Sequence, residues 1–234
     1  MRIVSWNCGG GFRSKFNRID ELQFDVCIIQ ECENPSDTPI KAYKNWATNY
    51  LWVGENRNKG IGVFCKNNTK ITKLNYPDGN NKFFLPFSID EQINVIAVWT
   101  KNSPKVADSY IGQMWNYLQL NEHQIEFDRC LFIGDLNSNS IWDTMRTGGN
   151  HRTVVELLKS KDVHSIYHHK YNEEHGLESS HTFFMHRHLD KGFHIDYSFA
   201  SSAIIKKLQN FQIGKKEEWL NDSDHLPMIV DLKD

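Results

Sequence analysis

Leu131-Phe132-Ile133-Gly134-Asp135-Leu136-Asn137-Ser138 is a short apolar run that ends in an acid and an amide. Three consecutive large apolar residues leave no polar face, so the strand they form must be covered on both sides. Ile93-Asn94-Val95-Ile96-Ala97-Val98-Trp99 reads the same way. Further strands are expected at residues 3–6, 26–30, 49–53, 61–65, 70–74, 83–89, 181–185, 195–200, 204–213 and 226–232, with the two central ones at 93–100 and 130–134. Helical spacing occurs in Phe16, Ile19 and Leu22 (residues 13–22), in Ile111, Met114, Tyr117 and Leu118 (107–121), and in Val154, Val155, Leu157 and Leu158 after His151. A doubly wound parallel sheet needs a helix after nearly every strand, and the closely spaced strands from 49 to 100 deny it that regularity. A sandwich of two mostly antiparallel sheets with outer helices, an α+β arrangement, satisfies the pattern.

No linker or repeat interrupts the 234 residues, which predicts a single domain over 1–234. A hydrophobic fraction of 39% is enough for a large core and excludes disorder, and a formal charge of −2 excludes the strong positive field of a general nucleic-acid coat protein. Cys8, Cys27, Cys32, Cys65 and Cys130 are odd in number and lack a C-x-x-C pair, so buried, reduced thiols are expected. The N-terminus has no apolar leader and no stretch reaches the ~18 apolar residues of a membrane span. A cytoplasmic protein without membrane contact or an obligate protein partner is the expectation.

Five polar signatures touch these apolar runs: Trp6-Asn7, Gln30-Glu31, Gly134-Asp135-Leu136-Asn137, Ile195-Asp196-Tyr197 and Ser223-Asp224-His225. Asn7, Glu31 and Asp135 follow strands, whereas Asp196 and His225 precede them. If the last two strands run opposite to the first three, all five signatures meet on one rim. Glu31 and Asp224 offer anionic oxygens and Asn7 a neutral one, a hard set suited to Mg²⁺ or Mn²⁺. Asp135 and Asn137, two apart on an extended segment, would share a face, one to activate or position water and the other to donate to a phosphate. Asp196 and His225 would pair as carboxylate and imidazole. Taken singly, each signature is an ordinary turn or strand end: Asp135-Leu136-Asn137 could be an Asx-turn or the cap of a helix through Ile141-Trp142. Five such accidents at compatible strand ends are improbable together, and the set reads as a metal-assisted phosphoester-cleaving site.

These motifs, with His181-Thr182-Phe183 and the extension to Gly134-Asp135-Leu136-Asn137-Ser138 and Ser223-Asp224-His225-Leu226-Pro227, resemble in order and spacing the endonuclease/exonuclease/phosphatase superfamily that includes DNase I-like nucleases. The resemblance covers nearly the whole chain. It implies a four-layer sandwich of two sheets between helices and hydrolysis of a phosphodiester, DNA above all. By the same resemblance Glu31, with Asn7 and Asp224, is the metal locus, Asp135 activates water, Asn137 contacts the phosphate, and Asp196–His225 polarises it. After the central strand the chain reads Val98-Trp99-Thr100-Lys101-Asn102, a departure from the family's Tyr, His or Asn at the scissile phosphate; Lys101, Asn102 and Tyr110 are the candidates for that contact.

Trp142 or Phe184 offers a stacking surface, and Arg13, Lys15, Arg18, Arg57, Lys59, Arg146 and Arg152 are candidate phosphate grips. Gly9-Gly10-Gly11 reads as a tight turn, lacking the phosphate-loop pattern. The histidines from His164 to His194 fit no zinc-finger or H-E-x-x-H spacing and read as solvated loop residues, with His181 the exception as a substrate-side candidate. Two alternatives stand beside the nuclease: a phosphatase or phosphodiesterase of a small ester such as an inositol phosphate, and a catalytically silent binding module of the same fold. A Ser223-Asp224-His225 triad is excluded, because adjacent strand residues diverge and no G-x-S-x-G elbow is present.

Overall fold

The computed structural model describes residues 1–66, 68–144 and 149–233. One sheet contains β1 (Arg2–Asn7), β2 (Val26–Cys32), β3 (Tyr50–Asn56), β4 (Lys59–Cys65), β13 (Leu208–Ile213) and β14 (Met228–Leu232) in the order β13-β14-β1-β2-β4-β3. The other contains β5 (Ile71–Lys73), β6 (Phe84–Ile89), β7 (Ile93–Trp99), β8 (Cys130–Asp135), β9 (Val163–Ser165) and β12 (Asp196–Ser201) in the order β5-β6-β7-β8-β12-β9. A two-residue hairpin pairs β10 (Phe183–Phe184) with β11 (Gly192–Phe193). Among the described residues only β1/β2 and β7/β8 run parallel, and all other neighbouring strands are antiparallel.

Strand alternation builds the layers. Ile3, Val26, Ile28, Leu131 and Ile133 face the space between the sheets, where they pack with Phe87, Val95, Ala97 and Trp99. Their neighbours Val4, Trp6, Cys27 and Ile29 turn outward onto Phe12, Ile19, Tyr43 and Trp219, from the segments that include helices α1 (Phe16–Asp20), α2 (Lys41–Trp46) and α7 (Lys216–Trp219). Phe132 and Phe199 turn outward on the second sheet, onto α3 (Ile111–Asn121) and α4 (His151–Ser160) through Met114, Leu118, Val154 and Leu158. Two further helices, α5 (Ile166–Tyr171) and α6 (Ser202–Ile205), insert Ile166, Tyr167 and Ile204 into the inter-sheet core. Burial of each large aliphatic side chain contributes about 1.5–3 kcal/mol. The four-layer α+β sandwich is therefore present, held by the double-faced strands from which it was expected.

Several local expectations need correction. Residues 204–213 are not one strand: the Ser201 hydroxyl caps α6 by accepting the Ile204 N–H, and the chain turns before β13. The 107–121 helix begins only at Ile111, because Tyr110 has φ 50°, ψ −121° and cannot continue a helix. The 181–185 strand shrinks to two residues, since His186 and Arg187 adopt left-handed φ values of 54° and 61°. The five cysteines are free and buried, as expected.

Candidate active site

The antiparallel pairing puts the signatures on one rim. Asn7 ends β1 opposite Gln30 of β2, while Trp99, Asp135 and Asp196 lie side by side across β7, β8 and β12. Glu31 does not end its strand. It occupies a bulge between Gln30 and Cys32 with φ 63°, which departs from the alternation its neighbours obey. Gly134 makes the parallel β7/β8 approach possible: it has φ +145°, and a Cβ there would fall 1.9 Å from the Val98 carbonyl oxygen.

Asp135 is fully buried. Its carboxylate accepts from the Asn137 backbone N–H (2.8 Å), Asn137 Nδ2 (2.8 Å) and Asn7 Nδ2 (2.9 Å), and His225 Nε2 lies 4.0 Å away. Asn137 is not extended, as the two-residue spacing suggested, but left-handed at φ 44°. Its side chain reaches Asp135 through an Asx-type turn. Both of its amide hydrogens are engaged, one by Asp135 and one by the Thr100 carbonyl at 3.0 Å, so in this state it braces the acid instead of donating to a phosphate. Asn7 Nδ2 also lies 3.5 Å from Glu31 Oε1, and Asn7 Oδ1 accepts the Gly9 N–H at 3.0 Å. Asn7 thus acts as a hydrogen-bond bridge between two acids, a different geometry from the oxygen donor expected of it.

His225 Nδ1 donates to Asp196, at 2.9 and 3.2 Å from its two oxygens, and Phe183 packs at 4.6 Å from the imidazole. Thr182 Oγ1 accepts both the Ile195 and Asp196 N–H groups at 3.0 Å, and its carbonyl accepts Leu226 N–H at 2.7 Å. Thr182 therefore joins the two loops that carry the pair. Ser223 is no nucleophile. Its hydroxyl donates to the Asn7 carbonyl at 2.7 Å and accepts the His225 N–H at 3.1 Å. Thr182 and Ser223 were within quoted motifs, but nothing in their spacing distinguished bracing from chemistry.

Burial drives the Asp135 carboxyl upward, and the adjacent His225 charge and donated hydrogen bonds oppose this only partly, leaving it raised to about 7. Burial alone would lower His225, but the Asp196 and Asp135 carboxylates outweigh it and raise the imidazolium to about 9. Glu31 Oε2 pairs with the half-exposed Lys59 ammonium at 2.5 Å. Asp224 lies across the Asn7–Gly9 turn, with Oδ1 3.6 Å from where a Cβ on Gly9 would sit. Asp135, Asp196 and His225 form one group whose ligand-type atoms lie within 4.8 Å of one another.

A cavity of about 680 Å³ adjoins this group, lined by Asn102, Tyr110, Asn137, Trp142, Phe183 and Phe193 among others. Trp142 is 50% exposed and lies 5.2 Å from the Phe193 ring. Lys101 does not reach the cavity; its ammonium stands over Phe83 and Trp99 at 4.4 and 4.8 Å. His181 is also outside it, packed edge-on to Phe184 at 5.8 Å, and Phe184 itself is buried against the first sheet's outer core and presents no stacking face. Among the basic candidates, Arg13 pairs with Glu33, Lys15 donates to the Cys8 and Asp222 carbonyls and Arg18 to Asp222, so these three are structural partners. Arg57 lines a separate hollow, and Arg146 lies outside the described residues.

The histidine-rich stretch is the largest departure from expectation. His151, His168, His175 and His194 are gathered around Tyr197 and Glu178 and are buried or nearly so, because α4, α5 and β12 converge there. Burial pulls His151 and His194 down to about 4.

No protein-family model and no curated protein sequence matches the chain. Solved structures do. A 3′ phosphatase from Neisseria bound to a product DNA hairpin superposes with a TM-score of 0.73 at 15% identity, covering 100% of this chain and 99% of its own. An AP endonuclease from Archaeoglobus fulgidus gives 0.70 at 15% identity over 100% of both chains. An AP endonuclease from Leishmania major gives 0.68 at 16% identity, covering 100% of this chain and 87% of its own. In architecture, this chain is a sandwich of the DNase I-like endonuclease/exonuclease/phosphatase fold.

Proposed function

We propose that the chain is a divalent-metal-dependent phosphodiester hydrolase acting on DNA, with one catalytic domain over 1–234. The observation that carries this reading is the buried chain of contacts Asp196–His225–Asp135, separated from an aromatic-lined cavity by Asn137, Phe183 and Ile195 and bordered by Glu31 and Asp224. Glu31, beside Asn7, and Asp224, beside Gly9, would offer hard oxygen donors of the kind that suit Mg²⁺ or Mn²⁺. When bound there, the ion supplies Lewis-acid charge to a phosphoryl oxygen. Asp135, raised toward neutrality, takes a proton from the attacking water as the water oxygen bonds to phosphorus and the ester P–O bond breaks. His225, kept protonated by Asp196, presents Nε2–H to the charge growing on the phosphoryl group. Asn7 and Asn137 hold the Asp135 carboxylate in place.

DNA as substrate is supported by the exposed Trp142 beside the cavity and by what the similar structures bind or cleave: one holds a DNA hairpin and two are AP endonucleases. No described helix is long and apolar enough to cross a membrane, and five buried free thiols support a reducing compartment such as the cytoplasm. The near-neutral formal charge of −2 favours a second reading, a small phosphate ester seated entirely within the cavity. A panel of plasmid, abasic duplex, single-stranded DNA, RNA, 3′-phosphorylated duplex and inositol phosphates, with Mg²⁺ or Mn²⁺, separates them. Cleavage of the DNA members alone supports the first reading, and turnover of inositol phosphates alone overturns it.

A further inference from the structure

Of the basic side chains singled out in the sequence, Lys59 alone among the described residues brings its charge to an acid of the rim. Arg13 pairs with Glu33, Lys15 donates to the Cys8 and Asp222 carbonyls, Arg18 pairs with Asp222, and Lys101 stands over Phe83 and Trp99. The backbone fixes where Lys59 starts. It is the first residue of β4 and pairs with Asn56 of β3, closing a hairpin. The turn of that hairpin is held by the Asn58 N–H on Asn56 Oδ1 at 3.0 Å and by the Asn34 N–H on the Arg57 carbonyl at 2.9 Å. The bulge at Glu31 sets Gly60 opposite Cys32 and releases the Glu31 carboxylate from the strand alternation, so that it meets the lysine beside Gly60. The Lys59 ammonium lies 2.5 Å from Glu31 Oε2 and 5.8 Å from the centre of the buried Trp99 ring, within the range of a cation–π contact.

These two contacts orient the ammonium without exhausting it. A lysine ammonium has three N–H donors; Glu31 is its ion-pair partner among the described residues and the side chain is 49% exposed, so donors remain for a ligand on the solvent side. From Lys59 a line of contacts crosses the rim. Glu31 Oε1 lies 3.5 Å from Asn7 Nδ2, Asn7 Nδ2 donates to Asp135 at 2.9 Å, and His225 Nε2 follows at 4.0 Å. Asp135 thus has a cation on either side, His225 directly and Lys59 through Asn7 and Glu31. A phosphodiester approaching these carboxylates is repelled unless positive charge faces it. We propose that Lys59 is a catalytic residue: its ammonium donates a hydrogen bond to a non-bridging oxygen of the scissile phosphate and offsets the charge that grows there as water attacks. The lysine transfers no proton, and the bonds made and broken at phosphorus are those given above. This inference rests on the hydrolase reading and adds one group to the same site.

The test reads rate, DNA binding and ion binding in Lys59→Met, whose half-exposed site should leave the melting temperature at the parent value. Lys70→Met is the control, since Lys70 pairs with Glu91 in the turn between β6 and β7, at the opposite end of the sheet from Trp99. Single-turnover cleavage of the preferred duplex should fall about 10–10²-fold in Lys59→Met, less than for an enclosed oxyanion donor because the side chain is half exposed. In EDTA, where no cleavage occurs, duplex binding should weaken about 3–10-fold at low salt and the salt slope should drop by about 0.9. That weakening should vanish on a duplex whose target linkage is a methylphosphonate of one stereochemistry, because the oxygen addressed by Lys59 is then gone. Mn²⁺ affinity without DNA, read by electron paramagnetic resonance, should not fall. An equal binding loss on both duplexes, or a Mn²⁺ loss that matches the rate loss, overturns the proposal by showing that Lys59 only positions Glu31. A Lys59→Met rate within about twofold of the parent overturns it too and leaves the hydrolase reading in place. A parent chain that cleaves no DNA in the panel overturns both.

Discussion

His225 stands between two carboxylates, 2.9 Å from Asp196 on its Nδ1 side and 4.0 Å from Asp135 on its Nε2 side. The first distance is a hydrogen bond and the second is not, so the two acids act differently on the ring. Asp196 fixes the tautomer, both carboxylates favour the imidazolium, and Asp135, with no hydrogen bond to the ring, is left to receive a proton.

His225→Ala should therefore lower turnover by about 10²–10⁴-fold, the usual contribution of a positioned acid or base. Asp196→Asn should act in the same direction, because an amide no longer favours the imidazolium. Single-turnover rates on the cleaved duplex check this. A His225→Ala rate within twofold of the parent would remove the imidazole from the mechanism.

Thr182→Val should destabilise the fold by about 1–3 kcal/mol, because it leaves the Ile195 and Asp196 N–H groups buried without an acceptor. Urea unfolding measures this, and an unchanged midpoint would mean that water replaces the hydroxyl.

Gly134→Ala should cost at least about 2 kcal/mol, since the added methyl meets the Val98 carbonyl and φ is unsuited to alanine. For a chain of this size that corresponds to a melting temperature lower by about 4–8 °C. Calorimetry provides the check.

Trp142→Ala should raise KM for a polynucleotide with little change in kcat, because the indole lies on the cavity wall and not on the reacting groups. A stacked base is worth about 1–3 kcal/mol, or roughly 5–150-fold in KM. An equal loss in kcat would move Trp142 into the chemistry.

Thiol reagents should label the native protein slowly or not at all. Burial pushes Cys8 and Cys130 up to about 12 and Cys65 to about 11, and raises Cys27 and Cys32 well above the ordinary thiol range. Raised thiol values favour the unreactive protonated form below them, so labelling at mildly alkaline pH should follow unfolding and yield all five only in denaturant.

Much of this architecture was legible in the sequence because it rests on alternation. Leu131-Phe132-Ile133 and Ile93–Trp99 have no polar face, and that fact alone requires layers on both sides. The rim acids were legible because each interrupts such a run. The bracing around them was not. Asn137 looked like a phosphate donor until its left-handed backbone directed both amide hydrogens inward, and Glu31 gave no sign of the bulge that sets its direction. His168, His175 and His194 were misread as solvated because they come from α5, a loop and the approach to β12 and meet His151 of α4 only in the folded chain, and no local period records that convergence. Lys101 was misassigned for a similar reason, since aromatic faces that attract its ammonium are contributed by β7 and the segment before β6.

Asn7, Glu31 and His225 belong to one sheet and its loops, Asp135 and Asp196 to the other. The gap between imidazole and acid is consequently a gauge of how far apart the two slabs of the sandwich stand. Trimming methyl groups from the filling, at Ile133 or Ile28, would let the slabs settle closer, and the chemistry would register that shift while the fold still held.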